Sequence, residues 1–230
     1  MDESIEVVVV RVFTDERGAN GNELGIVHSS PATAQREQAI ATALGFSETV
    51  FLDRVDEPGR AAELRIFTPA RELPFAGHPS VGTAWWLADR RTPVDVLREK
   101  AGEVAVTVDD DTAWIAARAE WAPDFAWLPL RSPADVDALD PSAFTSGHHY
   151  AYAWIDEAEG RLRARMFAPD MGIVEDEATG AAAVSITAKL GRALRISQGE
   201  GSELTTEPLA DGRIRVGGRT VYDRTIDVTL

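Results

Sequence analysis

The sequence contains no cysteine. Disulfides, thiolate nucleophiles, cysteine-ligated zinc and iron–sulfur clusters are therefore excluded. Positive charge is scarce: 23 Lys and Arg stand against 38 Asp and Glu, a formal net charge of −15. Nucleic acid and anionic membranes both demand a basic face, so neither is an expected partner. A small anionic substrate is still open, because a helix N-terminus makes a local positive site on an acidic protein. No stretch approaches the roughly 18 apolar residues of a membrane span. The start, Met1-Asp2-Glu3-Ser4, lacks the basic n-region of a signal peptide, and a cytoplasmic protein is expected. Histidine is also sparse. The pair His148-His149 has no third ligand at a fitting spacing, so no metal is expected. Asp109-Asp110-Asp111 lacks the spacing and closing glutamate of a calcium loop and reads as a hairpin turn.

What the chain does have is an ordinary globular composition, 44% apolar and 27% charged over 230 residues, and one motif that occurs twice. The first copy runs Arg65-Ile66-Phe67-Thr68-Pro69, then Glu72-Leu73-Pro74-Phe75-Ala76-Gly77-His78-Pro79, into an apolar helix from Val81 to about Asp89. The second runs Arg165-Met166-Phe167-Ala168-Pro169, then Glu175-Asp176-Glu177-Ala178-Thr179-Gly180, into a small-residue helix from Ala181 to Leu190, stopped by Gly191. Two copies at this long period argue for a duplicated domain rather than a solenoid. Glycines at 77 and 82 would let the backbone approach a ligand, and helix N-termini suit a carboxylate. Two such helix starts related by pseudo-symmetry could face one cleft between halves, a preferred place for small-molecule sites.

Around these motifs the β-branched run Ile5–Phe13 and Leu24–His28 read as strands flanking a loop that ends Asn20-Gly21-Asn22. Thr33 can cap a helix to Leu44, with Gly45 as its stop. Glu48 then precedes an apolar strand, Val50–Leu52. Taken alone it reads as a solvated surface acid. Asp53–Arg60 is a polar turn, and Ala62–Phe67, Val94–Arg98, Val104–Val108 and Trp114–Ala117 are strands. Pro123–Pro133 carries the crossover between halves, with a short helix over Ala134–Leu139. Tyr150–Ile155 and Leu162–Phe167 form a hairpin, followed beyond the second helix by strands Leu194–Gln198, Glu203–Glu207, Ile214–Val216 and Thr220–Val228. A helix apolar nearly all round is buried. The expected fold is therefore α+β: two pseudo-symmetric halves, 1–118 and 119–230, each a curved, mainly antiparallel sheet or open barrel around a central helix, with the last strand a candidate to return to the first half.

The chain resembles the PhzF-like (phenazine biosynthesis) family, which shares the two-domain fold of diaminopimelate epimerase. The matching features are Phe13, Gly21-Asn22, Ser47-Glu48-Thr49, Arg65-x-Phe67-Thr68-Pro69, the Leu73-Pro74-Phe75-Ala76-Gly77-His78 block, Glu175-Asp176-x-Ala178-Thr179-Gly180 and Gln198-Gly199. Epimerases with this fold use one cysteine from each half, which this chain lacks. The resemblance implies instead a cofactor-free isomerase with Glu48 as the acid and base, supported by His78 and Asp176. Its small-molecule substrate, carrying a carboxylate, would sit between the halves, with Asn22, Gly77, Thr179, Gly180 and Ala181 as binding residues. Burial against Phe46 and Val50 would raise the pKa of Glu48 and fit it for proton shuttling. Three departures bear on the substrate. Glu177 and Glu23 stand where the family usually has proline, and Ala181 where it usually has serine. The competing reading is a non-catalytic small-molecule binding protein that retains the cleft. A homodimer is expected on general grounds.

Overall fold

In a computed structural model, which describes residues 4–56 and 60–229, the two copies of the motif build two matching units. The middle of the turn expected over Asp53–Arg60, and the start Met1–Glu3, lie outside the described residues. The first unit contains β1 (Ile5–Thr14), β2 (Asn22–His28), α1 (Glu37–Leu44), β3 (Glu48–Asp56), β4 (Ala61–Phe67), the two-residue β5 (Glu72–Leu73), α2 (Gly77–Asp89), β6 (Val96–Glu99), β7 (Gly102–Asp109) and β8 (Thr112–Ala117). The second contains β9 (Ala126–Pro129), α3 (Pro133–Asp137), β10 (His149–Asp156), β11 (Arg161–Ala168), β12 (Ile173–Asp176), α4 (Gly180–Leu190), β13 (Leu194–Gln198), β14 (Ser202–Pro208) and β15 (Ile214–Val228).

The pseudo-symmetry is visible in the pairing. The hairpin β3–β4 leads through the short antiparallel strand β5 and helix α2 to β6, which lies parallel to β4. The hairpin β10–β11 leads through β12 and α4 to β13, parallel to β11. A parallel return needs a crossover, and in both units that crossover is the apolar helix. Because β15 pairs both β8 and β1, the strands β1-β2-β3-β4-β6-β7-β8-β15 close on themselves. Helix α2 packs against six of them, with Gly77 to Ala84 all buried. The second unit continues the sheet through β14, β13, β11, β10 and β9, with α4 against β14 and β15.

Four local expectations are corrected. The helix expected from Thr33 begins at Glu37. Thr33 Oγ1 instead accepts from the Ser30 N–H at 2.9 Å and donates to the Ser30 carbonyl at 3.0 Å, closing a turn rather than capping a helix. Ile214–Val216 and Thr220–Val228 are one strand. Gly217 and Gly218 do not break it: a Cβ at either would come within 2.4 Å of the Trp114 ring or 2.6 Å of Phe13, so glycine lets this strand run under both aromatics. The crossover segment also supplies an edge strand, β9, parallel to β10, with Pro129 at its end where no ladder donor is needed. Finally, β3 starts at Glu48, not Val50, and this moves Glu48 from a surface turn into the sheet, opposite Leu24 of β2.

Candidate active site

Glu48 opens β3, His78 is the second residue of α2 and Asp176 closes β12. They are 8%, 2% and 4% exposed, so three ionisable groups from both units are buried together. His78 Nδ1 lies 3.1 Å from Glu48 Oε2, an ion-pair distance. Beyond that imidazole, Oε2 has no hydrogen-bond partner among the described residues. Asp176, by contrast, is fully held. Asn22 Nδ2 donates to its Oδ1 at 2.6 Å and Thr179 Oγ1 to its Oδ2 at 2.6 Å, while Gln198 Nε2 donates to its backbone carbonyl at 2.9 Å. Asn22 also donates to the Ala178 carbonyl at 2.9 Å and accepts from Ser47 Oγ at 3.0 Å, which ties the Ser47-Glu48 corner of one unit to the start of α4 in the other.

Burial, reinforced by the nearby charge of Glu48, pushes Asp176 up to about 7, against the opposing pull of His78 and of its two side-chain donors. For His78, burial alone works against the cation. The charges of Glu48 and Asp176, with the Glu23 carbonyl, outweigh it and hold the imidazole above its ordinary range. Two carboxyls and one imidazole thus share protons, and the cluster is close to neutral when His78 is charged and one acid is protonated.

Glu48, Asp176 and Thr179 stand in the wall of a cavity of about 350 Å³. Phe75, Trp121, Phe125, Met166 and Met171 make most of it apolar, and Arg71 is the one cation among its lining residues. Ala76 and Thr179, the residues that precede the first turns of α2 and α4, both line it, as does Ala181. Neither helix has a side-chain cap at its start. His78, Asn22, Gly77 and Gly180 are not among its lining residues. Gly77 and Gly180 have a different first use from the one expected. A Cβ on Gly77 would come within 2.6 Å of the Gly180 backbone, and a Cβ on Gly180 within 2.8 Å of Gly77 and His78, so the two helices touch backbone to backbone at their first residues. Gly82 accommodates Leu24 and Val12, each 2.6 Å from where its Cβ would be.

A larger groove, of about 720 Å³, is lined by Arg163, Arg165, Glu175 and Glu177. Its arginines are spent: Arg163 bonds Asp137 and the Gly199 carbonyl, and Arg165 grips Glu175 with two nitrogens. It is an ion-pair scaffold, and the smaller, drier cleft with unpartnered polar atoms is the better candidate site. Glu177 belongs to that scaffold and not to the cleft. It accepts from the Glu200 N–H and from Ser202 Oγ, so the charge that replaces proline holds the turn after β13.

Sequence reasoning underrated Gln198, which donates to Thr179 Oγ1 at 2.8 Å and accepts from Tyr150 at 3.2 Å. The Gln198-Gly199 pair was its only signal. Arg71, which lines the cleft, is an exposed arginine that nothing in a linear reading sets apart.

Residues 10–120 and 110–207 each match the family model described as phenazine biosynthesis-like protein. The trans-2,3-dihydro-3-hydroxyanthranilate isomerase of Pseudomonas chlororaphis is 31% identical over 208 residues, covering 75% of this chain and 74% of that protein. The crystal structure of a phenazine biosynthesis protein of the PhzF family from Bacillus anthracis superposes with a TM-score of 0.78 at 20% identity, over 99% of this chain and 100% of that one. A hydroxyproline epimerase from Agrobacterium vitis, solved with bound trans-4-hydroxy-L-proline, has the same fold at 12% identity, with a TM-score of 0.66 over 100% and 94% of the two chains.

Proposed function

The chain belongs to the phenazine biosynthesis-like family and is an isomerase, and from that premise we propose that it moves a proton between carbons of a small carboxylate-bearing substrate held in the cleft, with Glu48 as general acid and base. The observation that carries the proposal is Glu48 itself: buried, in the cleft wall, with one carboxylate oxygen that has no neighbour to hold it among the described residues except an imidazole 3.1 Å away. A buried carboxylate oxygen held by nothing but an imidazole is costly as structure, and it is what a proton acceptor needs.

In the proposed cycle the Glu48 carboxylate takes a proton from a substrate carbon, the C–H electron pair moves into the conjugated carbanion, and the acid so formed returns the proton at a second carbon. One C–H bond breaks, one forms, and no electrons leave the substrate. His78 balances the charge of Glu48 before the proton arrives. Asp176, locked by Asn22 and Thr179, orients a polar substituent. The N–H groups of Gly77, Gly180 and Ala181 head the two helices with no partner among the described residues, and with the positive ends of both helices they stabilise the developing negative charge. Arg71, whose guanidinium makes no ion pair with the described residues, is the group we assign to the substrate carboxylate.

The test is conversion of a panel of cyclic and amino-acid carboxylates, including trans-2,3-dihydro-3-hydroxyanthranilate, followed by proton NMR. The expected result is isomerisation by the wild type and a loss of at least ~10²-fold in Glu48→Gln. Equal rates in both proteins would remove Glu48 from the reaction. Binding without conversion across the panel would favour a binding protein that keeps the cleft.

A further inference from the structure

A second buried acid lies next to the first turn of α2. Glu99 closes β6, is 9% exposed, and has no described cation bonded to it. The charged groups on the neighbouring elements are paired elsewhere. Arg98 is with Glu103 of β7 at 3.3 Å and Glu63 of β4 at 3.9 Å, and Lys100 is with Glu72 of β5 at 3.1 Å. On α2 itself, His78 faces Glu48. Glu99 Oε1 lies 2.5 Å from Ser80 Oγ, and Oε2 has no partner among the described residues. Ser80 Oγ is also 2.7 Å from the Ala76 carbonyl oxygen.

A serine hydroxyl carries one proton, and a carbonyl oxygen can only accept. If Glu99 were ionised, one of these two short contacts would set acceptor against acceptor in a buried place. Both are hydrogen bonds only when Glu99 brings a proton of its own. Burial acts the same way: it pushes Glu99 up to about 8 against the opposing Ser80 bond.

We propose that Glu99 works as a neutral acid and is a positioning residue for the cleft: it donates to Ser80, Ser80 donates to the Ala76 carbonyl, and this relay fixes the first turn of α2. The Ala76 carbonyl depends on the hydroxyl, because its helical bond from the Ser80 N–H is long, at 3.3 Å. Ala76 lines the cleft, and its carbonyl belongs to the peptide that ends in the Gly77 N–H. Drawing charge onto that oxygen strengthens the N–H as a donor. Loss of the Glu99 proton turns Ser80 toward the carboxylate and releases Ala76. That this first turn matters to proton transfer rests on the function proposed above; the protonation of Glu99 does not.

The experiment is a pH titration of the full chain labelled with ¹³C at glutamate carboxyls and ¹⁵N at backbone amides. Glu99 is assigned through bonds and checked against Glu99→Gln, whose amide still donates to Ser80. Asp176 ionises close to this range and His78 is also held above its ordinary value, so the reporter is the Gly77 amide, compared between the two proteins. The expected result is a Glu99 carboxyl that stays neutral at pH 6 and titrates near 8, with a Gly77 shift that follows it in wild type and is lost in Glu99→Gln and Ser80→Ala. A Glu99 carboxyl titrating in the ordinary glutamate range, about 4.3, would overturn the proposal. So would a wild-type Gly77 amide indifferent to Glu99. If a variant fails to fold, the wild-type titration decides alone. A relay that behaves as described in a protein that isomerises nothing would leave this inference standing and remove the function.

Discussion

At the scale of single residues, the site is a problem of proton sharing. Asp176 ionises at its ordinary value of 3.8 in the unfolded chain and at about 7 in the folded one. The folded protein therefore holds this proton more tightly. The resulting stability is complete below 3.8 and is lost as pH rises through 7. Asp176→Asn should flatten that part of the stability curve, measured as urea midpoints between pH 4 and 8; an unchanged slope would place the titration elsewhere. Arg71→Ala should raise KM for a carboxylate substrate about tenfold with little change in kcat, since a charged hydrogen bond at an exposed site is worth about 1.5 kcal/mol. In the sequence, Glu48, His78 and Asp176 stand out as candidates only through the family motif. Alone, each is a polar residue beside a turn. What a linear reading could not reach is the wall itself: Arg71, Trp121 and Met166 line it together only because three distant segments are folded against one another.

At the scale of elements, both central helices were legible from their apolar runs, though not their first turns. Helix α2 begins at Gly77, four residues before the apolar run at Val81, because Pro79 is tolerated in a first turn and burial makes up for poor propensity. The reason for glycine at the start of each helix is also non-local, since Gly77 and Gly180 meet across the two units. Gly77→Ala and Gly180→Ala should each cost about 1–3 kcal/mol by overpacking. The double variant should cost less than their sum, because one separation of the helices relieves both clashes. Strict additivity in denaturant midpoints would mean that the helix N-termini do not touch.

At the scale of the whole molecule, β15 is the seam. Residues from Ile214 pair with β8 and β14, and residues to Val228 pair with β1, so one strand belongs to both units. The sequence pattern read it as two strands because Gly217-Gly218 looks like a break. The Trp114 and Phe13 rings that explain those glycines come from other strands. A shared strand and the Asn22–Asp176 bond argue for cooperative unfolding. The fluorescence of Trp154 in the second unit and of Trp114 in the first, each followed in a variant with the other tryptophans replaced by Phe, should report one coincident transition. Two separated transitions would show that the units are energetically independent.

The account rests on a proton moving through Glu48, and hydrogen exchange at carbon tests it most directly. The protein is incubated in D₂O with each carbon acid that it binds, and the recovered compound is weighed for an added deuteron. Deuterium incorporated by wild type and not by Glu48→Gln is the predicted result. Incorporation at equal rates by both proteins, or neither incorporation nor isomerisation of any compound that demonstrably binds, would contradict it.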